Sequence, residues 1–141
     1  MKISAKAHSA LRMMLCIAER GGDGYLSLKD VAAQLGASKP YLEQIMIQLG
    51  KTNLLITARG ASGGYKLAAP ASRISAAQVV RAVEGELTLI PSSDGDADDT
   101  EIMARDVWQG LTEVVTSYLE SVSLQDMLDT RQTYQGYDFS I

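Results

Sequence analysis

The sequence predicts a mainly α-helical fold with a small β-wing and a long helix in its C-terminal half. Three observations predict this fold class. Apolar residues recur at helical spacing through four segments before residue 86. Two strand-like segments flank a glycine-rich tip at residues 59–64. The longest helical pattern runs from Glu101 to Ser121.

Three helices are predicted over residues 4–20, 27–35 and 38–51. Each begins at a serine, which is a preferred N-cap residue. Gly36 ends the second helix, and Ser38 leads directly into the third. The second and third helices are therefore short and separated by a tight turn.

A hairpin follows the third helix. Residues 54–58 and 65–68 are strand-like, and the glycines between them favour a tight turn. Residues 25–27 form a further short extended segment. A fourth helix follows, with Ser75 as its N-cap and Gly85 as its end.

Two short helices, a tight turn and a hairpin, in this order, predict a winged helix-turn-helix domain over residues 1–85. A recognition helix presents polar side chains to the major groove, where glutamine pairs with adenine and glutamate accepts from cytosine. The outward side chains predicted for the third helix are Lys39, Tyr41, Glu43, Gln44 and Gln48. At the wing tip, Arg59 lies among small residues and can enter a narrow minor groove.

Each of these signals has another interpretation. Short amphipathic helix pairs also occur in domains that bind no DNA, and glycine-rich tips also occur in phosphate-binding loops. A phosphate loop opens a helix with Lys followed by Ser or Thr, whereas here Tyr65 and Lys66 continue a strand. The combination and its order predict binding to double-stranded DNA.

The charge is unevenly distributed around a formal net charge of −4. Residues 1–66 contain nine Lys and Arg against four Asp and Glu, and residues 67–141 contain four against thirteen. Ordinary scatter of surface charge is the alternative, but the asymmetry favours a basic surface for phosphates in the first half.

Composition excludes several other classes. No run of eighteen apolar residues and no signal peptide is present, which predicts a cytoplasmic protein without a membrane partner. His8 and Cys16 are the chain's one histidine and one cysteine, and about 12 Å of helix separates them, too far for a catalytic pair. We therefore expect no enzymatic activity. The aspartates within residues 94–99 lack the glutamate of a calcium loop, so no metal site is expected.

Residues 101–130 are predicted to form a dimerisation helix and a following short helix near residues 124–128. An acidic, flexible loop at residues 86–100 precedes them, and a tail at residues 131–141 follows. The long helix carries an apolar stripe that is broader than one small domain covers, which favours a homodimer and a palindromic operator, although packing within one domain is the alternative. The stripe contains Met103, Val107, Leu111, Val114, Tyr118 and Val122.

The chain resembles the winged-helix family of the iron–sulfur regulators IscR and NsrR and the cysteine metabolism repressor CymR. YLEQI at residues 41–45 and RGASGGY at residues 59–65 are the most specific matches. Further matches are residues 1–4, 27–30, 80–85, 105–108 and 123–126. The resemblance thus covers nearly the whole chain and implies a sequence-specific transcriptional regulator.

The resemblance also implies roles for individual residues. Tyr41, Glu43 and Gln44 would read the major groove, and Arg59 with Gly60 and Ser62 would lie at the minor groove. The residues expected to hold phosphates are Lys2, Ser4 and Lys39. Ser38, the N-cap of the third helix, is a further expected DNA contact. Family members that bind a cluster carry three cysteines before the long helix, and residues 86–101 contain none. We therefore expect no cofactor.

The branch without a cluster includes the cysteine metabolism repressor, which implies a repressor of cysteine and sulfur metabolism. The tail supports this choice, because Tyr137, Phe139 and Ile141 resemble the end of that repressor. They also resemble the peptide by which serine acetyltransferase docks into O-acetylserine sulfhydrylase, and this resemblance implies that the sulfhydrylase is a partner. The alternative is that Tyr134, Tyr137 and Phe139 pack on the protein's own dimer. A regulator of the same fold with another redox or metabolite effector remains an alternative, as does a protein-interaction module that no longer binds DNA.

Overall fold

The computed structural model describes residues 2–21, 24–93 and 95–135, with side chains as far as Arg131. The predicted partner-binding residues Tyr137, Phe139 and Ile141 lie outside the described residues. Six α-helices and two strands occur in the described ranges, so the mainly helical class with a small β-wing is confirmed. The elements are α1 (Ala5–Arg20), α2 (Leu28–Leu35), α3 (Lys39–Lys51), β1 (Leu55–Ala58), β2 (Gly64–Leu67), a 3-10 turn (Ala71–Arg73), α4 (Ala76–Glu84), α5 (Asp99–Ser121) and α6 (Leu124–Gln135).

Serine side chains start three of these helices. The hydroxyls of Ser4, Ser27 and Ser75 each accept a hydrogen bond from the backbone N–H three residues further along. The Gln78 side chain also accepts a hydrogen bond from the Ser75 N–H at 2.8 Å, which completes a capping box. Each such cap stabilises its helix by about 1 kcal/mol. The predicted starts of α1, α2 and α4 therefore agree with the structure.

The turn between α2 and α3 depends on Gly36. Its φ of 65° lies in the left-handed region, which residues other than glycine adopt only at a cost in conformational energy. Its N–H and that of Ala37 both donate to the carbonyl of Ala32, at 2.9 and 3.2 Å. These bonds satisfy the end of α2 and fix the direction in which α3 leaves the turn.

The wing is an antiparallel pair in which Leu55 lies opposite Leu67 and Ala58 opposite Gly64. Leu26 adds a short third segment, because it exchanges two backbone hydrogen bonds of 2.8 and 2.9 Å with Tyr65. A side chain at Gly64, whose φ is 147°, would place its Cβ 2.3 Å from the Leu26 carbonyl oxygen. The extended segment predicted at residues 25–27 thus fastens the wing to the domain.

One core joins α1, α2, α3 and α4 to the first turn of α6. Leu124 is fully buried, and its N–H donates to the Ile74 carbonyl at 2.9 Å. Further along α6, Arg131 pairs with Glu19 of α1. The fully buried side chains of the core are Met13, Met14, Ile17, Val31, Leu42, Ile45, Leu49, Ile74, Val79 and Leu124.

The two C-terminal helices differ from the sequence prediction in length. α5 begins at Asp99, inside the segment predicted as a loop, because the Asp98 carboxylate accepts a 2.8 Å hydrogen bond from the Glu101 N–H. A hydrogen bond from the Thr100 hydroxyl, together with the one from the Glu101 N–H, lowers the pKa of Asp98. α6 continues to Gln135, beyond the predicted end near Leu128. Among the described helices, none is long and apolar enough to cross a membrane.

Candidate nucleic-acid interface

Helix α3 separates an apolar face from a polar one. Its buried side is formed by Leu42, Ile45, Met46 and Leu49, which recur at helical spacing and hold the helix against the core. Four of the predicted DNA-contacting residues lie exposed on the rest of its surface: Lys39, Tyr41, Glu43 and Gln44. The structure therefore brings the predicted recognition residues together on one helix.

The start of α3 presents backbone donors and a serine hydroxyl. Ser38 occupies the N-cap position and is exposed, but its side chain makes no capping bond within the described part of the chain. The first N–H groups of a helix have no partner inside it and carry a partial positive charge. With Lys39 beside them, they form a favourable position for a phosphate group.

The structure differs from the sequence prediction at Gln48 of α3, and it exposes the neighbouring Ile47. Gln48 was predicted to point outward, but it is half-buried, and its Oε1 is buried with no hydrogen-bond partner among the described residues. Ile47, which the prediction passed over, is 52% exposed. Helical spacing contains the signal, because Ile47 lies four residues after Glu43 and three after Gln44, on the same face.

The wing tip holds Arg59, Gly60 and Ser62 exposed at the end of the hairpin. The turn closes through a 3.1 Å hydrogen bond from the Gly63 N–H to the Gly60 carbonyl, and Gly60 has a φ of 103°. A Cβ at Gly63 would lie 2.2 Å from the Ala58 carbonyl oxygen. The glycines therefore fix a narrow tip from which Arg59 projects.

Helix α3 and the wing lie side by side. Burial raises the pKa of Tyr65 in β2, and the negative charge of Glu43 raises it further. The two elements also share one cleft, which is lined by Ile47 and Lys51 of α3 and by Thr57 and Tyr65 of the wing.

The N-terminal residues are placed less favourably for phosphate. Lys2 is exposed, whereas Ser4 is half-buried. The Ser4 hydroxyl accepts from the Ala7 N–H and donates to the Glu84 carboxylate. Its hydroxyl proton is therefore already engaged, and the adjacent carboxylate repels a phosphate. A phosphate role is better supported for Lys2 than for Ser4.

Cys16 is a packed side chain of α1. It is 2% exposed, its thiol donates to Gln34 Oε1 at 3.3 Å, and burial raises its pKa. A raised pKa leaves the unreactive thiol form at neutral pH. His8 is exposed on the same helix. Among the described residues, no three His, Cys, Asp or Glu side chains are grouped closely enough to hold a metal ion.

Two helices joined by a tight turn, the second with an exposed polar face, and a hairpin with an arginine at its tip define a winged helix-turn-helix DNA-binding protein. The chain belongs to the Rrf2 family, described as iron-dependent transcriptional regulators, whose model matches residues 3–130. It is a DNA-binding transcriptional regulator and not an enzyme.

Three relatives illustrate the family resemblance. CymR of Bacillus subtilis is 33% identical over 142 residues, and the alignment covers the full length of both chains. Its solved structure, of the global cysteine regulator, has a TM-score of 0.78 at 31% identity, covering 90% of this chain and 95% of that one. The structure of T. potens IscR has a TM-score of 0.80 at 33% identity. The match covers 98% of this chain and 93% of the IscR chain. IscR of Xenorhabdus nematophila is 31% identical, covering 98% of this chain and 85% of its own.

The iron in the family description does not fit the donors of this chain. Iron–sulfur clusters are held mainly by cysteine thiolates, and the chain has one cysteine. That residue, Cys16, is buried, bonded to Gln34 and held in the thiol form. The chain therefore does not provide the thiolate ligands of an iron–sulfur cluster.

Proposed function

We propose that this protein is a repressor of cysteine and sulfur metabolism genes that binds a palindromic operator as a homodimer. The observation that carries the proposal is the surface formed by the exposed face of α3 and the arginine-bearing wing tip. Both elements are held by a common core, so that they meet DNA in a fixed relative position. Such an operator lies on cytoplasmic DNA, which makes the cytoplasm the proposed compartment.

In this proposal, Tyr41, Glu43 and Gln44 contact base edges in the major groove, since they occupy the exposed face of α3. Arg59, with Gly60 and Ser62, lies at the adjacent minor groove, where a narrow groove concentrates negative potential. The phosphate contacts are assigned to Lys2, Ser38 and Lys39. Ser4 is proposed to cap α1 beside Lys2, because its hydroxyl already binds Glu84 and the Ala7 N–H.

The second copy is proposed to cover α5. None of the 23 residues of this fully described helix is buried in the single chain. Met103, Val107, Val114 and Tyr118 are each between 62% and 66% exposed. A row of large apolar side chains this exposed favours an interface. Leu111 is half-buried beside them, and Val122 ends the helix, where its carbonyl accepts from the Ala76 N–H at 2.8 Å.

The other side of α5 already has contacts within its own chain. The Thr112 hydroxyl accepts a 3.1 Å hydrogen bond from the Leu89 N–H, and Glu120 pairs with Arg81 of α4 at 2.6 Å. These contacts fix the helix on the winged domain with its apolar row turned away from α4. Dimerisation through that row would therefore set the spacing of two recognition helices.

Selection from randomised DNA with the full chain tests this operator model. We expect an inverted repeat, because a symmetric dimer presents two identical recognition helices to two half-sites. An asymmetric consensus would contradict readout by a homodimer, and the lack of any consensus would contradict readout by α3. Measurements at several salt concentrations separate phosphate contacts from base contacts.

The link to sulfur metabolism is supported by the full-length similarity to a global cysteine regulator and by the missing cluster donors. Genomic footprinting in cells with and without cysteine tests it. We expect protected sites near genes of cysteine uptake and synthesis, released when cysteine is scarce. Sites near iron–sulfur assembly genes instead would favour a family regulator with a different effector.

O-acetylserine sulfhydrylase is proposed as a protein partner that receives the tail. The support is the alternation of Tyr137, Phe139 and Ile141, whose side chains would enter pockets on an extended-peptide site. A pull-down with the purified enzyme, comparing the full chain with a variant lacking Ile141 and with Ser140→Ala, tests this. We expect only the deletion to lose the complex, with dimerisation and DNA binding preserved. Equal binding by all three proteins would contradict the proposal.

A further inference from the structure

An isoleucine lies in the middle of the polar face of the recognition helix. Ile47 is 52% exposed, although it stands among Glu43, Gln44 and Lys51 at helical spacing. A single exposed apolar side chain is ordinary on most protein surfaces. On α3 its position matters, because its neighbours on the helix are the residues proposed to read base edges.

Ile47 also borders the cleft between α3 and the wing. This cleft has a volume of about 390 Å³ and is lined on the helix side by Ile47, Gly50 and Lys51. The wing side is formed by Thr57 and by Tyr65. Gly50 contributes no side chain to this lining, and Lys51 contributes a positive charge. Ile47 therefore lies on the surface between α3 and the wing, where a DNA strand that touched both elements would pass.

The chemistry of base edges selects the contact. An isoleucine side chain offers neither a hydrogen-bond donor nor an acceptor. The major groove presents donors and acceptors on every base pair, and one apolar group, the C5-methyl of thymine. Burial of that methyl against Ile47 is favourable, whereas the polar edges of the other bases gain nothing from the same side chain.

We propose that Ile47 is a specificity-determining residue that contacts a thymine methyl group in each operator half-site. The inference rests on the proposed function of α3 as the recognition helix, and it adds a residue to those that read the operator. It predicts that the protein prefers thymine at one position in each half-site of the operator. Hydrogen bonding by Glu43 or Gln44 does not produce this preference.

Uracil substitution tests the proposal, because uracil differs from thymine only by lacking the C5-methyl. The operator is the inverted repeat selected from randomised DNA, with its thymines replaced by uracil one at a time. For the wild-type full chain, we expect one position in each half-site at which uracil weakens binding about fourfold, the effect of one buried methyl group. At that position Ile47→Ala is expected to bind thymine and uracil equally.

Ile56→Ala is a matched control. Ile56 is 41% exposed, on the neighbouring strand β1, but it lines a different cavity together with Gly21 and Ala69. This variant makes the same chemical change away from the cleft, so it is expected to discriminate uracil from thymine as the wild type does.

Three results would overturn the proposal. The first is wild-type binding that is insensitive to uracil at every thymine, a result that needs no variant to fold. The second is an Ile47→Ala protein that still discriminates fully. The third is a wild-type protein that selects no operator at all, which would remove the proposed readout by α3 and this contact together. In the first two cases operator binding itself persists, so the failure lies with Ile47 alone.

Discussion

Replacement of Val114 by aspartate tests the proposed dimer at the centre of the exposed row on α5. Complete burial of a valine side chain contributes about 1.5–3 kcal/mol. Since Val114 is 66% exposed in the single chain, a second copy that covers it contributes about 1–2 kcal/mol through each valine. A symmetric dimer contains the substitution twice, so the loss is about 2–4 kcal/mol.

This loss raises the dimer dissociation constant by about 30-fold to 700-fold. Two unpaired carboxylates at the interface increase the effect further, because burial of an uncompensated charge is unfavourable. Sedimentation velocity over a range of protein concentrations measures the change directly. Val114→Asp is expected to be monomeric at concentrations where the wild type is dimeric, and to lose operator affinity because one half-site alone is bound.

Gln109→Asp is the matched control for that experiment. Gln109 is exposed on a different side of α5, where its amide donates to Glu113 at 3.2 Å. The variant introduces the same charge outside the apolar row, so the dimer is expected to persist. A Val114→Asp protein that sediments as the wild type does, or a control that dissociates equally, would refute dimerisation through the row.

Four other substitutions or measurements test individual residues. Arg59→Ala is expected to weaken operator binding by about 1–3 kcal/mol in titrations at fixed salt, and unchanged affinity would contradict a minor-groove role. Lys39→Ala is expected to weaken all DNA similarly and to reduce the salt slope by about one unit, because one phosphate contact is lost. Glu43→Ala is expected to relax base preference in DNA selection with little loss of affinity, and an unchanged consensus would argue against base readout. Cys16, whose pKa is raised by burial, is expected to react with a thiol reagent only after unfolding, so rapid stoichiometric labelling of the native protein would contradict its assignment as a core residue.

The N-terminal half of the fold was predictable because its signals are local. A serine cap acts on an N–H three residues away, and a left-handed glycine such as Gly36 ends a helix within one turn. The bounds of α1, α2 and α4 therefore agree with the sequence prediction. The glycine-rich wing tip was predictable for the same reason, since its turn closes between Gly60 and Gly63.

The sequence predicted which face of α3 is exposed, but it predicted the exposure of individual residues less well. Helical spacing identified the exposed face of α3, but not that Gln48 is half-buried at its edge while Ile47 is exposed. Exposure at the edge of a helical face depends on the elements packed beside it, which the local pattern does not contain. The hydrogen bond between Ser4 and Glu84, 80 residues apart, is equally invisible in the sequence.

The sequence by itself determined the order of the helices and the turn chemistry, because these depend on residues within a few positions of one another. It also determined the division into a basic half and an acidic half, because charge is a property of composition and needs no contacts. Only the tertiary structure decided that α6 folds back to pair Arg131 with Glu19. The tertiary structure also decided that Leu26 fastens the wing through Tyr65, and that the apolar row of α5 lies uncovered in a single chain. Each of these outcomes depends on contacts between segments far apart in the chain, whose free energy is gained only when the common core has formed.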